Sequence, residues 1–194
     1  IKSSAASDVY KRQQYVLMNY KQPFEYVKEG GDKGFHKKGE WAKAAYWIVQ
    51  NSNLTAGEGG AAVDLAFKTK YGDGSDAGLA LQTDWGFDNP KNDGKVYQTS
   101  HLQKGKYKLT AHVYEYDGRG FIGYVAVCKG NEMANTSDIP SKSLANASIS
   151  GTGDVVVDIL VEEPTDVVIG FVCTITVKQG RAKIDNFKLE LVEQ

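Results

Sequence analysis

His112, Tyr114 and Tyr116 fall at alternate positions of one stretch, and Arg119 follows in the turn Asp117-Gly118-Arg119-Gly120. A second group, Trp85-Gly86-Phe87-Asp88-Asn89, packs two rings, a carboxylate and an amide into five residues. Flat rings beside amides, carboxylates and a guanidinium suit a sugar. A pyranose exposes a face of C–H groups that stacks on an aromatic plane, while its hydroxyls need polar partners around the rim. The candidate ligand-binding residues are therefore Tyr114, Tyr116, Arg119, His112, Trp85, Phe87, Asp88 and Asn89. Each ring also has a bland reading. Trp85 stands where sandwich domains bury a tryptophan, and Tyr114 and Tyr116 could equally be packing residues.

Catalytic chemistry is poorly provided for. The three histidines are His36, His101 and His112, and there is no Gly-x-Ser-x-Gly, His-Glu-x-x-His or phosphate loop. No enzyme activity is expected. The alternative is a fragment of a glycan-degrading enzyme, whose paired carboxylates only a fold could bring together. Asp73, Ser75, Gly78 and Asp84 take positions 1, 3, 6 and 12 of a calcium-loop pattern, but position 5 is Ala77 and no helices flank it. No cofactor or metal is expected, with a structural calcium as the alternative. Cys128 and Cys173 lie in apolar alternating runs at no zinc or redox spacing, and read as buried free thiols, a disulfide being the alternative.

The elements that must position these residues are strands. Tyr107, Leu109, Ala111 and Val113 alternate with Lys108, Thr110, His112, Tyr114 and Tyr116, the pattern of a strand packed on one face. The preceding run, Val96–Leu102, is joined to it by Gln103-Lys104-Gly105-Lys106, which reads as a hairpin with Gly105 at the turn. Further strands are expected at 62–67, 79–85, 122–128, 155–161, 167–177 and 182–192, with a helical turn near 141–146. Short strands with little helix predict an all-β, two-sheet antiparallel sandwich with one or two short helical turns. Leu109, Val113, Val157, Ile169, Phe171 and Leu189 are placed between the sheets.

Composition agrees with a single domain over residues 14–194. The 23 basic and 24 acidic residues leave a net charge of −1, which argues against nucleic acid and anionic membrane surfaces as partners. No apolar run reaches the roughly 20 residues of a membrane-spanning helix. Ser3–Gln13, SSAASDVYKRQ, reads as the in-frame translation of a transposase sequencing adapter, so residues 1–13 are expected to pack against nothing.

Gly94-Lys95-Val96-Tyr97-Gln98-Thr99 with Leu102 and Gly105-Lys106-Tyr107 is similar to the YQT-x-x-L-x-x-G-x-Y segment of jelly-roll carbohydrate-binding modules. Ile184-Asp185-Asn186-Phe187-Lys188-Leu189 resembles the DN-x-x-L ending of that superfamily. The segment VAVCKGNEMANTSDIPSKSLANASI resembles Bacteroidetes domain-of-unknown-function family 5013 more closely. The resemblance implies a galactose-binding-like jelly roll in a secreted or surface-anchored lipoprotein, on the extracellular or outer-membrane surface. It implies a glycan as partner, and a monomeric domain within a longer chain. It also offers Asp185 with Glu25 as holders of a structural calcium. The expected function is a non-catalytic carbohydrate-binding module, the alternative being a structural or adhesion sandwich that spaces domains or binds protein.

Overall fold

The protein is seen here as a computed structural model that describes residues 17, 18, 20, 21, 24, 26–27, 41–50, 61–64, 78–82 and 91–193. The alternating runs form two sheets whose neighbouring strands are all antiparallel. One sheet has the spatial order β1 (Tyr26–Val27), β2 (Trp41–Ala44), β4 (Ala61–Asp64), β5 (Gly78–Gln82), β12 (Arg181–Glu193), β7 (Gly105–Asp117), β10 (Gly153–Val161). The other runs β3 (Ile48–Gln50), β6 (Lys91–Leu102), β11 (Thr165–Ile175), β8 (Phe121–Lys129), β9 (Ala145–Ser148). This is the two-sheet antiparallel sandwich expected.

The core lies between the sheets because one face of each long strand is apolar. Leu109, Val113, Val157, Ile169 and Phe171 are buried there, and Leu189 packs against them partly covered. Phe187 anchors the centre, with Trp47 at 5.1 Å and Phe171 at 6.2 Å between ring centroids. Burying a side chain of this size contributes about 1.5–3 kcal/mol. Gly170, midway along β11, lets β6 come close: a Cβ there would stand 2.1 Å from the Val96 carbonyl oxygen.

Cys173 lies in this core while Cys128 lies on the opposite face of the same sheet, so both are buried free thiols. Burial pushes both thiols above their ordinary range.

Two expectations are corrected. Val96–Leu102 and Tyr107–Tyr116 are not a hairpin. β6 pairs with β3 and β11, whereas β7 pairs with β12 and β10. The link at Gln103-Lys104 crosses from one sheet to the other, held by the Tyr107 hydroxyl donating to the Gln103 carbonyl at 2.8 Å. A hairpin and such an arch share the same alternation and the same polar link, so periodicity cannot separate them. Gly105 serves close packing, since a Cβ there would lie 2.9 Å from the Glu193 carbonyl oxygen.

The helical turn also comes earlier than expected. A 3-10 turn at Thr136–Asp138 leads into α1 (Ile139–Lys142), with Pro140 in the first turn, and Ala145–Ser148 is strand. Pro is tolerated at that end of a helix because its missing N–H has no partner to lose.

Candidate functional site

The outward face of the seven-stranded sheet is shaped by a pair of bulges. Going along β7, Glu115 faces Lys183 and Val113 faces Ile184, which leaves Tyr114 as an extra residue. The next pair is His112 with Asn186, which makes Asp185 the extra residue on β12. A bulge advances one strand by a residue and re-aims the side chains beside it. Tyr114 and Glu115 therefore both emerge on the outward face.

Tyr116 is turned the other way. It packs against the main core and meets Phe121 edge to face at 5.5 Å. The expectation that Tyr114 and Tyr116 share an outward face is thus corrected: a single extra residue shifts the phase of everything beyond it.

Tyr114 lies over Gly78 of β5. A Cβ at that glycine would stand 2.3 Å from the tyrosine Cε1 and 2.5 Å from its hydroxyl oxygen, so only glycine leaves room for the ring. Beside the ring runs a charged row. Glu115 accepts a hydrogen bond from Arg181 Nε, and its other oxygen is 2.9 Å from Lys183 Nζ. The Lys183 contact is an ion pair rather than an aligned hydrogen bond. Lys183 is only 3% exposed, Glu115 13% and Arg181 31%. Arg181 and Lys183 alternate with the core residues Ala182 and Ile184, which fixes the charged row on the outward side. Withdrawing such a pair from water costs several kcal/mol per ion before their attraction is counted.

Polar groups rim this region. His112 Nδ1 is 2.8 Å from Asp185 Oδ1, and the histidine is close to half exposed. Arg119 forks onto Asp117 through Nε and Nη2, and Nη2 also donates to Gln179 Oε1 at 3.0 Å. Those donors hold the Asp117 carboxyl at about 2, well below the usual carboxylate range, with Arg181 adding a smaller pull. The geometry gathers one ring, three cations, three carboxylates and an imidazole on one side of the molecule. Such groups can both donate to and accept from hydroxyls.

His112 and Tyr114 stand on the outward face of β7, Arg119 lies in the turn that follows it, and Tyr116 packs on the core side. Trp85, Phe87, Asp88 and Asn89 lie outside the described residues, as do residues 1–13, Asp73, Ser75, Asp84 and Glu25. Sequence reasoning missed Glu115, Arg181 and Lys183. The available signal was two basic residues alternating with Ala182 and Ile184 in a late strand. It also missed Tyr46, which is well exposed in the turn between β2 and β3 and holds a positive φ of 67°. A bulky residue seldom adopts that conformation.

Among solved structures, one similar to this chain is the carbohydrate-binding module TmCBM61 in complex with β-1,4-galactotriose. It is 16% identical, with a TM-score of 0.48, covering 86% of this chain and 97% of that one. No curated protein matches the sequence. Residues 18–170 match the family described as Domain of unknown function (DUF5013). With most of its length inside that match, the chain belongs to the DUF5013 family.

Proposed function

We propose that this domain is a non-catalytic carbohydrate-binding module that takes an oligosaccharide on the outward face of its seven-stranded sheet. The observation that carries the reading is the Tyr114 ring laid over Gly78 on a sheet face that also carries the His112–Asp185 and Arg181–Glu115 pairs. In this reading the open part of the Tyr114 ring meets the C–H face of one sugar. His112 and Arg119 take hydroxyls, and Asp185 fixes the His112 ring. Tyr116 contributes from below by holding the Asp117–Arg119 turn: a Cβ on Gly118 would lie 2.7 Å from its hydroxyl oxygen. Trp85, Phe87, Asp88 and Asn89 belong to the same proposal as further contacts from the segment that follows β5 in sequence. The setting proposed is the extracellular or outer-membrane surface, as one domain of a longer chain.

An open face of this kind binds weakly. Dissociation constants of about 10 µM to 1 mM are expected, or roughly −4 to −7 kcal/mol. A glycan array on the whole chain, followed by calorimetry on the best ligand with wild type, Tyr114→Ala and Arg119→Ala, tests the reading. Loss of affinity at an unchanged melting temperature supports it. Wild-type affinity in both variants removes the site, and no binding at millimolar glycan removes the function. The second reading, a structural or adhesion sandwich, draws on Tyr97, Tyr107 and Trp47 all being buried, and predicts that last result.

A further inference from the structure

One edge of the sandwich is unlike the others. Among the described residues, three of the four sheet edges are strands of two, three and four residues: β1, β3 and β9. The fourth, β10, runs nine residues and follows β7 without a bulge. Natural edges avoid pairing with strangers through short strands, bulges, Pro or charged side chains, Lys above all. Here the charges on the edge strand are Asp154 and Asp158. The β10 sequence GDVVVDILV has no Pro, Lys or Arg. Val156 is 46% exposed and Leu160 55% on its outward side. A groove of about 420 Å³ opens beside Leu160, bordered by Lys104, Lys106, Glu162 and Glu193.

We propose that the β10 edge is a homodimer interface, with two copies pairing β10 antiparallel about a two-fold axis through Val157. This does not rest on the carbohydrate reading. Residues paired across an antiparallel ladder share a face, so a two-fold axis must pass through a residue. The two acids then select which one. An axis at Val156 sets Asp154 against Asp158 of the second copy, and an axis at Asp158 sets that residue against itself. Like charges directly opposite destabilise a sheet. Axes farther along shorten the ladder.

With the axis at Val157, all nine residues pair and no acid stands directly opposite an acid. Asp154 faces Leu160 of the second copy, and Val156 faces its Asp158. On the inward side Val155 meets Ile159, which extends the core over a valine that is only partly covered in one copy. Lys106 is the neighbour of Leu160 on β7 and already holds Glu193 at 2.6 Å. Asp154 of the second copy arrives one strand away from that ammonium. A strand from another protein would gain the same backbone bonds, but Asp154 and Asp158 are spaced so that a second β10 pairs over its whole length with no acid directly opposite another.

The register makes a charge-specific test possible. Sedimentation of the whole chain from about 10 µM to about 1 mM should show a monomer–dimer equilibrium. Val156→Glu would face Asp158 of the second copy twice by symmetry and should weaken association about tenfold or more. Val156→Lys at the same position should preserve or tighten it. Oxidising the double variant Val156→Cys with Asp158→Cys should yield a covalent dimer, because the native thiols are buried. A wild-type monomer throughout that range overturns the proposal, as does a dimer that Val156→Glu leaves unchanged. Equal weakening by Glu and Lys, or a dimer that the cysteine pair does not trap, overturns the register.

Discussion

The two outward faces of this sandwich have been treated in opposite ways. Over the five-stranded sheet, the segment between β8 and β9 folds down as an apolar cover. Met133 and Ile139 close on Tyr97, Ala126, Cys128, Val168 and Val172 to make a second small core. Polar pins hold the cover: Thr136 N–H donates to Asp93 at 2.7 Å, Lys95 Nζ donates to Asn135 at 2.7 Å, and Thr174 donates to Thr136. Over the seven-stranded sheet the corresponding surface carries Tyr114, His112 and the Glu115–Arg181–Lys183 row. One face is covered by a segment that packs hydrocarbon against it. The other keeps charge at the cost of desolvation, and the proposed glycan site lies there.

Breaking the charged row should give the largest effect. Glu115→Ala takes away the carboxylate 2.9 Å from the buried Lys183 ammonium and should cost about 3–5 kcal/mol in urea unfolding. Replacing both residues, Glu115→Leu with Lys183→Met, should recover most of that loss, since an apolar pair of similar volume avoids the penalty altogether. Equal losses in the single and double variants would mean that the row is held by shape rather than by charge.

On the capped face, Ile139→Ala should cost about 2–5 kcal/mol by leaving a cavity under α1. Its glycan affinity should stay at the wild-type value, whereas a parallel loss of binding would make the two faces one unit. The smallest effect belongs to Asp117. Its carboxyl titrates at about 2 because Arg119 donates to it, with the ordinary value near 4 in the unfolded chain. The stability this pair supplies is therefore present above about pH 4 and is lost as the pH falls through about 2. The pair is solvent-screened, so the shift in urea midpoint between pH 5 and pH 2.5 should differ only slightly between wild type and Asp117→Asn. An Asp117→Asn variant that loses more stability on acidification than wild type does would reverse that assignment.

The alternation of Tyr107, Leu109, Ala111 and Val113 was enough to read the inner face of β7, because a period of two has only two phases and one was apolar. The continuous run Val167-Val168-Ile169-Gly170-Phe171-Val172-Cys173 carried a further message. It is buried on both faces, as a strand under two covers must be. What alternation cannot express is a change of phase or a change of sheet. Tyr114 and Asp185 each add one residue to their strand, and no residue type announces that insertion, so Tyr116 was assigned outward when it faces Phe121. Gln103-Lys104 likewise reads the same whether the chain turns back in one sheet or crosses to the other. The charged row was hidden for a different reason. Glu115, Arg181 and Lys183 are distant in sequence, and only the pairing of β7 with β12 brings them together.

The most direct measurement is a glycan titration followed residue by residue in backbone amide NMR spectra. The account predicts that the shifts concentrate at His112, Tyr114, Glu115, Arg119 and Lys183, while Met133, Ile139 and the rest of the capped face stay still. Shifts centred on the capped face, or none anywhere at millimolar glycan, would contradict it.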